Sequence, residues 1–458
     1  MNEQAPTPDT PLLTLCIPTW NRANRLSLLL ENIKREIQGL EDWIQVVVAD
    51  NASSDDTSAV VATSPLTITY GRQESTVGIT NNIFFATCTL ARGRFIWIIG
   101  DDDLIAPGGL ARILASLQRA ADIDYHYVNF CAIDADYRDK VIQLMGGIPP
   151  ASAMQIRQCD EPGWKLLERA EQLAFLPGYN PSSLFSSLFC YVASRAFYLE
   201  ARTRLTPSNS LDGSSRSLDD MFPQALITLP HIIGRPIAYI GDPCVLQGAH
   251  AWEWNRYLSQ ISILGIHKLM NWMAGIGFDA AALEQMRNSH ARTIATKLPP
   301  MLLAPDGNLG LNDELRKLIA DYTQVTDFWQ IFTLRMKARM ETEFIARQLV
   351  IVLDKLQECS GKIGILGERA LKEKVLELSP NIRTSLSWTG FNDGSWTGQR
   401  QENGKSSTSH GHHLRDQDID VLILAVHPEY TPPLHTTCSQ YMKPGSYIID
   451  AQSVTPIN

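Results

Sequence analysis

Three consecutive carboxylates, Asp101, Asp102 and Asp103, close an apolar run that climbs from Phe95 to Ile99 and passes Gly100. Like charges this close repel: at about 4 Å and an effective dielectric near 20, one pair costs roughly 4 kcal/mol. Leu104 and Ile105 follow at once, so the cluster ends a strand that reads as buried. The chemistry that suits it is capture of a hard divalent cation. Magnesium or manganese takes oxygen ligands, keeps water, and bridges one or two carboxylates to phosphate oxygens. Such an ion relieves the repulsion and neutralises a phosphate-bearing leaving group. The plainer account is an acidic helix start ahead of residues 104–114 (LIAPGGLARIL), where carboxylates favour the helix dipole. It explains one aspartate better than three.

An alternation of strands and helices must position these acids. Residues 12–20 (LLTLCIPTW) form an apolar strand, and residues 25–37 carry apolar side chains at helical spacing. A strand at 43–50, a helix opening within 53–62 behind Ser and Asp caps, a strand at 66–71, a helix at 81–91 and a strand at 94–100 follow. Continuously apolar strands between helices specify an α/β fold, with a mostly parallel sheet sandwiched by helices. Ligands of such sheets bind beyond the carboxyl ends of the strands. The polar residues gather there: Pro18-Thr19-Trp20-Asn21-Arg22 after the first strand, Asp50-Asn51 after the second, the aspartates after the fourth.

After residue 124 the pattern changes. Residues 124–134 and 140–144 read as strands, 163–175 as a helix, 217–227 as a helix start, and 236–250 as a strand and turn. Residues 255–358 read as almost entirely helical. Then 361–378 reads as strand, glycine turn and helix, 391–418 as a polar mobile loop, and two more buried strands follow. The expected domains are 1–254, a helical region at 255–358, and a small Rossmann-like α/β unit at 359–458. Gly361, Gly364 and Gly367 lack the Gly-x-Gly-x-x-Gly spacing of a dinucleotide site. His410, His412 and His413 fall in the polar segment and read as solvated loop rather than as a metal tract.

The 458 residues are 44% hydrophobic and 19% charged, the balance of a soluble globular chain with ample core. A net charge of −9 excludes a general attraction to nucleic acid or anionic lipid. The eight cysteines never form Cys-x-x-Cys, and Cys16, Cys88, Cys131 and Cys190 have apolar neighbours, as expected of core residues in a reducing compartment. The most apolar later stretch, 261–278, is interrupted by His267, Lys268 and Asn271 and is too short and polar to span a bilayer. The N-terminus carries no basic-then-apolar leader. The expected location is cytoplasmic, with no transmembrane segment and peripheral membrane contact left open.

Three segments together, LTLCIPTWNR, VVVADNASSDDT and VGITNNIFFATCTLARGRFIWIIGDDDLIAPGGL, resemble the family-two glycosyltransferases, inverting enzymes of the type-A nucleotide-sugar transferase fold. The order and spacing match over residues 12–110 and more loosely to about 250. The resemblance implies that Pro18, Thr19, Asn21 and Arg22 lie beside a nucleotide and that Asp50, with Asn51, meets its base, commonly a uracil. Gly78 and Asn82 take the place of the Gly-x-x-x-Asn that opens the next helix. The Asp-x-Asp element falls on Asp101, Asp102 and Asp103, one carboxylate meeting the ribose and another the cation. Asp102 is the favoured metal ligand and Asp103 the next. Gly100 stands where the family often has a fourth acid. An acidic pair opening a later helix supplies the base that deprotonates the acceptor hydroxyl; here that is Asp220 or Asp219. His250 matches the late histidine that such enzymes sometimes use as a metal or phosphate contact. Trp252 and Trp254 are candidates to stack on a sugar.

The implied activity is metal-dependent inverting transfer of a sugar from a nucleotide-diphosphate sugar, with UDP as the expected nucleotide and Mn or Mg as the cation. The acceptor, whether glycan, glycolipid or protein, is left open. Two other readings stand beside it. One is a catalytically silent sugar-nucleotide sensor or scaffold. The other is a nucleotidyltransferase on a related sheet, which usually opens with a Gly-rich phosphate loop that CIPTWNR lacks.

Overall fold

In the computed structural model, the first strand, β1 (Leu13–Thr19), is buried at every position but Pro18, and β2 (Ile44–Asp50) is buried throughout. Strands apolar on both faces need helices on both sides. The structure describes residues 11–134, 156–157, 159–177, 184–207, 217–249, 261–302, 313–325, 327–356, 363–379, 386–391, 401–402, 405–406, 421–425 and 447–450. The first half of the chain runs β1, α1 (Ala23–Glu36), β2, α2 (Thr57–Thr63), β3 (Ile68–Arg72), α3 (Ile79–Phe84), β4 (Phe95–Ile98), β5 (Leu104–Ile105), α4 (Gly109–Arg119) and β6 (Tyr125–Asp134). Then come β7 (Ile156–Arg157), β8 (Trp164–Leu167), β9 (Tyr191–Ser194), α5 (Arg195–Arg204), α6 (Leu218–Met221), α7 (Pro223–Ile232) and β10 (Ile237–Ala249). Three further helices follow, α8 (Ile266–Gly275), α9 (Ala280–Leu302) and α10 (Asp313–Tyr322).

The main sheet has the order β3-β2-β1-β4-β9-β6-β10-β5. Its first four strands are parallel. Beyond β4 the sheet is mixed, since β9 runs antiparallel to both β4 and β6 while β6 and β10 are parallel. The chain winds outward from β1 to β3 and then returns to place β4 on the other side of β1. The strand order therefore reverses between β1 and β4, the kind of crevice in which open α/β sheets bind ligands. Register aligns the residues at that edge: Thr19 lies beside Asp50, and Asp50 beside Arg72.

The expected helix at 163–175 forms only over its second half, as a 3-10 helix. Trp164–Leu167 is an edge strand antiparallel to Ile237–Ile240 of β10, and Ala170–Phe175 is a 3-10 turn. Pairing with a strand some seventy residues away overrides the local helical pattern. The expected strand and turn at 236–250 is one strand whose register shifts between Ile240 and Val245. Residues 140–144 lie outside the described residues.

The chain divides into two compact units, Met1–Lys297 with Asn308–Phe328, and Leu298–Gly307 with Trp329–Asn458. The second unit contains most of α11 (Phe328–Leu356) and a parallel sheet of order β12-β11-β15-β16, built from β11 (Ile363–Glu368), β12 (Leu386–Phe391), β15 (Val421–Ala425) and β16 (Tyr447–Asp450). The helix α12 (Arg369–Leu378) follows β11, and Leu371 and Val375 pack with Ile345, Leu349, Leu353 and Ile423. A short antiparallel pair, β13 (Gln401–Glu402) and β14 (Lys405–Ser406), lies within the expected polar loop.

Two buried histidines make the first unit acid-sensitive. Carbonyl oxygens only accept, so His126 donates from Nε2 to Ile123 O (3.1 Å) and accepts at Nδ1 from the Ser116 hydroxyl (2.8 Å), which in turn accepts from Trp164 Nε1 (2.7 Å). His290 likewise donates from Nε2 to Ser262 O (2.8 Å) and accepts from the Tyr322 hydroxyl (2.7 Å). Burial holds both imidazoles neutral and lowers each to about 4. An unfolded histidine titrates near 6.5, so between pH 6.5 and 4 the unfolded chain gains protons that the folded one refuses. The contribution is full above that window and is lost as pH falls through it, about 3 kcal/mol for each histidine. Denaturant midpoints are therefore expected to fall between pH 7 and pH 5. A flat midpoint across that range would contradict the assignment.

Candidate functional site

The aspartates occupy the turn between β4 and β5, and both sides of that turn are anchored. On one side β4 pairs with β1, and Ile99 donates its N–H to Cys16 O (3.1 Å). On the other, β5 pairs with β10, Ala106 N–H donates to Cys244 O (2.8 Å), and the Asn32 side chain bonds both backbone groups of Ile105. The acids are thus held by backbone pairing rather than by a free loop, which fixes where they point.

The three carboxylates are not equivalent. Asp101 is buried, and both its oxygens are engaged by the end of β1 and the turn after it: Oδ2 accepts from the Thr19 hydroxyl (2.8 Å) and Oδ1 from Arg22 Nη1 (2.9 Å). Burial, against the pull of Arg22 and with the push of Asp102, raises its pKa to about 6. Asp102 is half-buried and lies 3.5 Å from the same guanidinium. Asp103 is buried. A Cβ added to Gly100 would stand 2.8 Å from Asp102 Oδ1 and 2.9 Å from Asp103 Oδ2. The side chains of Asp102 and Asp103 therefore close over Gly100, which accounts for glycine there in place of a fourth acid. Gly100→Ala is expected to push both carboxylates aside and to lower turnover about 100-fold, the usual penalty for a misplacement near 1 Å. Turnover within twofold of the parent would show that neither carboxylate needs this position.

These donors can be tested against a divalent cation. Among the described residues no three His, Cys, Asp or Glu side chains form a preformed metal cage. Magnesium-like ions seldom use one; they take one or two carboxylates and complete their shell with water and substrate phosphate. Asp102 and Asp103 fit that donor set. Asp101, committed to Thr19 and Arg22, fits a supporting role.

The neighbouring loops carry backbone strain. Asn21 (φ 52°) and Ala52 (φ 61°) are the non-glycine residues with positive φ among those described, and they follow β1 and β2 at the same edge. Such strain costs of order 1–3 kcal/mol and clusters at functional sites. Asn21 tolerates it because its side chain is bonded: Oδ1 accepts from Ser54 N–H (2.7 Å), while Asn21 N–H donates to Ser53 Oγ (2.9 Å). Asp50 is fully buried and accepts from Ser53 N–H (2.8 Å) and the Tyr70 hydroxyl (2.7 Å), with Arg72 Nε 3.5 Å away. Burial and Asp50 push the Tyr70 pKa up, so that hydroxyl stays protonated as a donor. Asn51 exchanges two bonds of 2.8 Å with the backbone of Val77, which ties the end of β2 to the segment entering α3.

Gly78 is the residue before α3, its carbonyl accepting from Asn82 N–H (3.1 Å). Asn82 is buried and donates to Ala49 O (3.0 Å), so it braces β2 rather than facing outward. Asp219 and Asp220 open α6, where the Ser217 hydroxyl donates to Asp220 Oδ2. The Thr80 hydroxyl of α3 donates to Asp219 O (2.6 Å), which brings the acidic pair against the same edge. His250, Trp252, Trp254 and the histidines at 410–413 lie outside the described residues.

Some residues of this edge were not singled out by sequence. Arg72 is half-exposed and bonds Ser53 O (2.8 Å). The strand-end rule that found Thr19 and Asp50 also covers it, since all three share a register row. Trp20, named with the end of the first strand but given no role there, is 49% exposed between Thr19 and Asn21. Tyr70 and Thr80 left no local signal.

Residues 14–157 match the family model described as Glycosyl transferase family 2. The segment is a family 2 glycosyl transferase domain. Thr19, Arg22, Asp50, Asn51, Asn82 and the three aspartates fall within the matched residues of the family 2 domain, and Asp219 and Asp220 beyond them. Among curated proteins, the chain is 35% identical over 116 residues to abequosyltransferase RfbV of Salmonella typhimurium, covering 24% of this chain and 34% of that protein. It is 33% identical over 107 residues to the uncharacterized protein MT1568 of Mycobacterium tuberculosis, covering 22% and 31%. The chain thus spans about a third of the length of these relatives. Among solved structures, S. aureus TarS 1–349 aligns with a TM-score of 0.45 and 15% identity, over 69% of this chain and 81% of that one.

Proposed function

We propose that the chain transfers a sugar from a nucleotide-diphosphate sugar to an acceptor hydroxyl, with inversion at the anomeric carbon. The observation that carries this reading is the set of anchored carboxylates at the strand-order reversal of a family 2 glycosyl transferase domain. The partial relative named as an abequosyltransferase supports the transfer of a sugar. In this reading the nucleotide lies along Thr19, Asn21, Asp50 and Arg72, and UDP remains the nucleotide of first choice. Asp102 and Asp103 would hold a divalent cation, which supplies charge neutralisation for the departing diphosphate. Asp220, with Asp219 beside it, takes the proton of the acceptor hydroxyl. As that oxygen bonds the anomeric carbon, the bond to the diphosphate breaks, and the electron pair leaves with the diphosphate. The division of the chain at about 254 and 358 into catalytic, helical and Rossmann-like parts, and a location in the cytoplasm, belong to the same proposal. No helix among the described residues is long and apolar enough to cross a membrane.

The test is a thermal-shift screen of nucleoside diphosphate sugars with and without manganese, followed by hydrolysis of the best binder with water as acceptor. A ligand at a hundredfold its Kd stabilises by about 2.7 kcal/mol. Manganese-dependent shifts and release of nucleoside diphosphate are expected. No shift with any sugar nucleotide would overturn the reading, and binding without release would leave a silent sensor in its place.

A further inference from the structure

Pro223 creates a gap in the helix that carries the proposed base. Within α6, Met221 N–H bonds Ser217 O (3.2 Å) and Phe222 N–H bonds Leu218 O (2.7 Å). The next bond in the series would run from residue 223 to Asp219 O. Proline has no N–H, so that carbonyl cannot be satisfied by its own helix. The Thr80 hydroxyl fills the place, donating to Asp219 O at 2.6 Å from a residue 139 positions earlier in the chain. Thr80 is buried and Asp219 half-buried, so the bond is partly shielded from solvent.

Thr80 is also at the end of a connected path from the nucleotide side. Asn51 N–H donates to Thr19 O (2.9 Å), the Asn51 side chain holds Val77 by two bonds, and Gly78 leads directly into α3. On its other side α6 meets the segment before α8: a Cβ on Gly265 would lie 2.8 Å from Met221 Sδ and 3.2 Å from Phe222 Cε2. The single turn holding Asp219 and Asp220 is therefore clamped between Gly265 and Thr80, and Thr80 connects it to the loops at the ends of β1 and β2.

We propose that Thr80 is a positioning residue for the acceptor base: its hydroxyl replaces the helix bond that Pro223 removes and sets the place of Asp220 relative to the donor. The inference rests on the reading of Asp220 as the base. Its test uses the full chain, manganese and the nucleoside diphosphate sugar that binds best in the screen, with water as acceptor. Thr80→Val keeps the shape and deletes the donor. It is expected to lower turnover about 10- to 100-fold, the penalty of a small misplacement, while donor affinity by calorimetry stays within twofold. Thr80→Ser is expected to restore most of the turnover, since it restores the hydroxyl. Adding Thr80→Val to Asp220→Asn should cost nothing further, because the two act as a unit. If Asp220→Asn lowers turnover but Thr80→Val does not, or if Thr80→Val weakens donor binding and turnover together, the positioning role is overturned. If Asp220→Asn leaves turnover unchanged, the assignment of the base fails instead, and the role of Thr80 with it.

Discussion

Asp102→Asn is expected to lower sugar-nucleotide turnover about 100-fold or more while leaving the fold as stable as the parent. Two effects on stability oppose each other. Losing the charge removes repulsion from Asp101, but also the attraction of Arg22 at 3.5 Å. Asp102 is half-buried, so both are screened by solvent and the balance is small. Turnover has no such offset. Removing one preorganised group that stabilises developing charge typically costs 100- to 1,000-fold, and here it would remove a cation ligand. Asp101→Ala gives the contrast. It leaves the buried Thr19 hydroxyl without the carboxylate it donates to and removes one acceptor of the Arg22 guanidinium, at a cost of about 1–3 kcal/mol. Melting curves and donor hydrolysis on the two variants separate the roles. Equal destabilisation by both, or turnover retained in Asp102→Asn, would overturn the assignment of Asp102 as the chemical carboxylate and Asp101 as the anchor.

Arg22→Met should tighten the binding of manganese alone while reducing turnover. The guanidinium lies against the aspartates, 2.9 Å from Asp101 and 3.5 Å from Asp102. A dication beside Asp102 must share that field. A unit charge about 6 Å from a dication at an effective dielectric near 20 opposes it by roughly 5 kcal/mol before solvent screening. Arg22 is 21% exposed, and discounting for screening leaves a tenfold effect or more, about 1.4 kcal/mol. The variant also leaves Asp101 without its counter-charge, which favours the cation further. Turnover should nevertheless fall about 100-fold, because Arg22 fixes Asp101 and through it the turn. Calorimetric titration with manganese in the absence of sugar nucleotide decides the matter. Weaker or unchanged affinity would show that Arg22 does not compete with a cation.

The helix expected at 163–175 shows why part of the fold escaped the sequence. Residues 164–167 have no alternation to mark a strand; they become one because β10 offers an edge, and Ile237 to Ile240 take their backbone bonds. The same limit applies to Asp101. Nothing local distinguishes it from Asp102 and Asp103, yet Thr19 and Arg22, about eighty residues away, take both its oxygens. Gly100 reads as a missing acid in a string of letters. In three dimensions it is the space over which two carboxylates close.

By itself the sequence determined the alternation of apolar strands and helices, the parallel sheet that follows from it, and the polar strand ends at Thr19, Asp50 and Asp101–Asp103. Those features are local: burial pattern and strand-end position are properties of a few consecutive residues, and the chain direction of a parallel sheet brings them to one edge. Only the tertiary structure decided which side chains each of these residues meets. The anchoring of Asp101, the Tyr70 and Arg72 contacts of Asp50, and the bond from Thr80 to Asp219 join segments from about twenty to 139 residues apart. Such pairs leave no periodic trace, because a hydrogen bond depends on distance in space and not on separation along the chain.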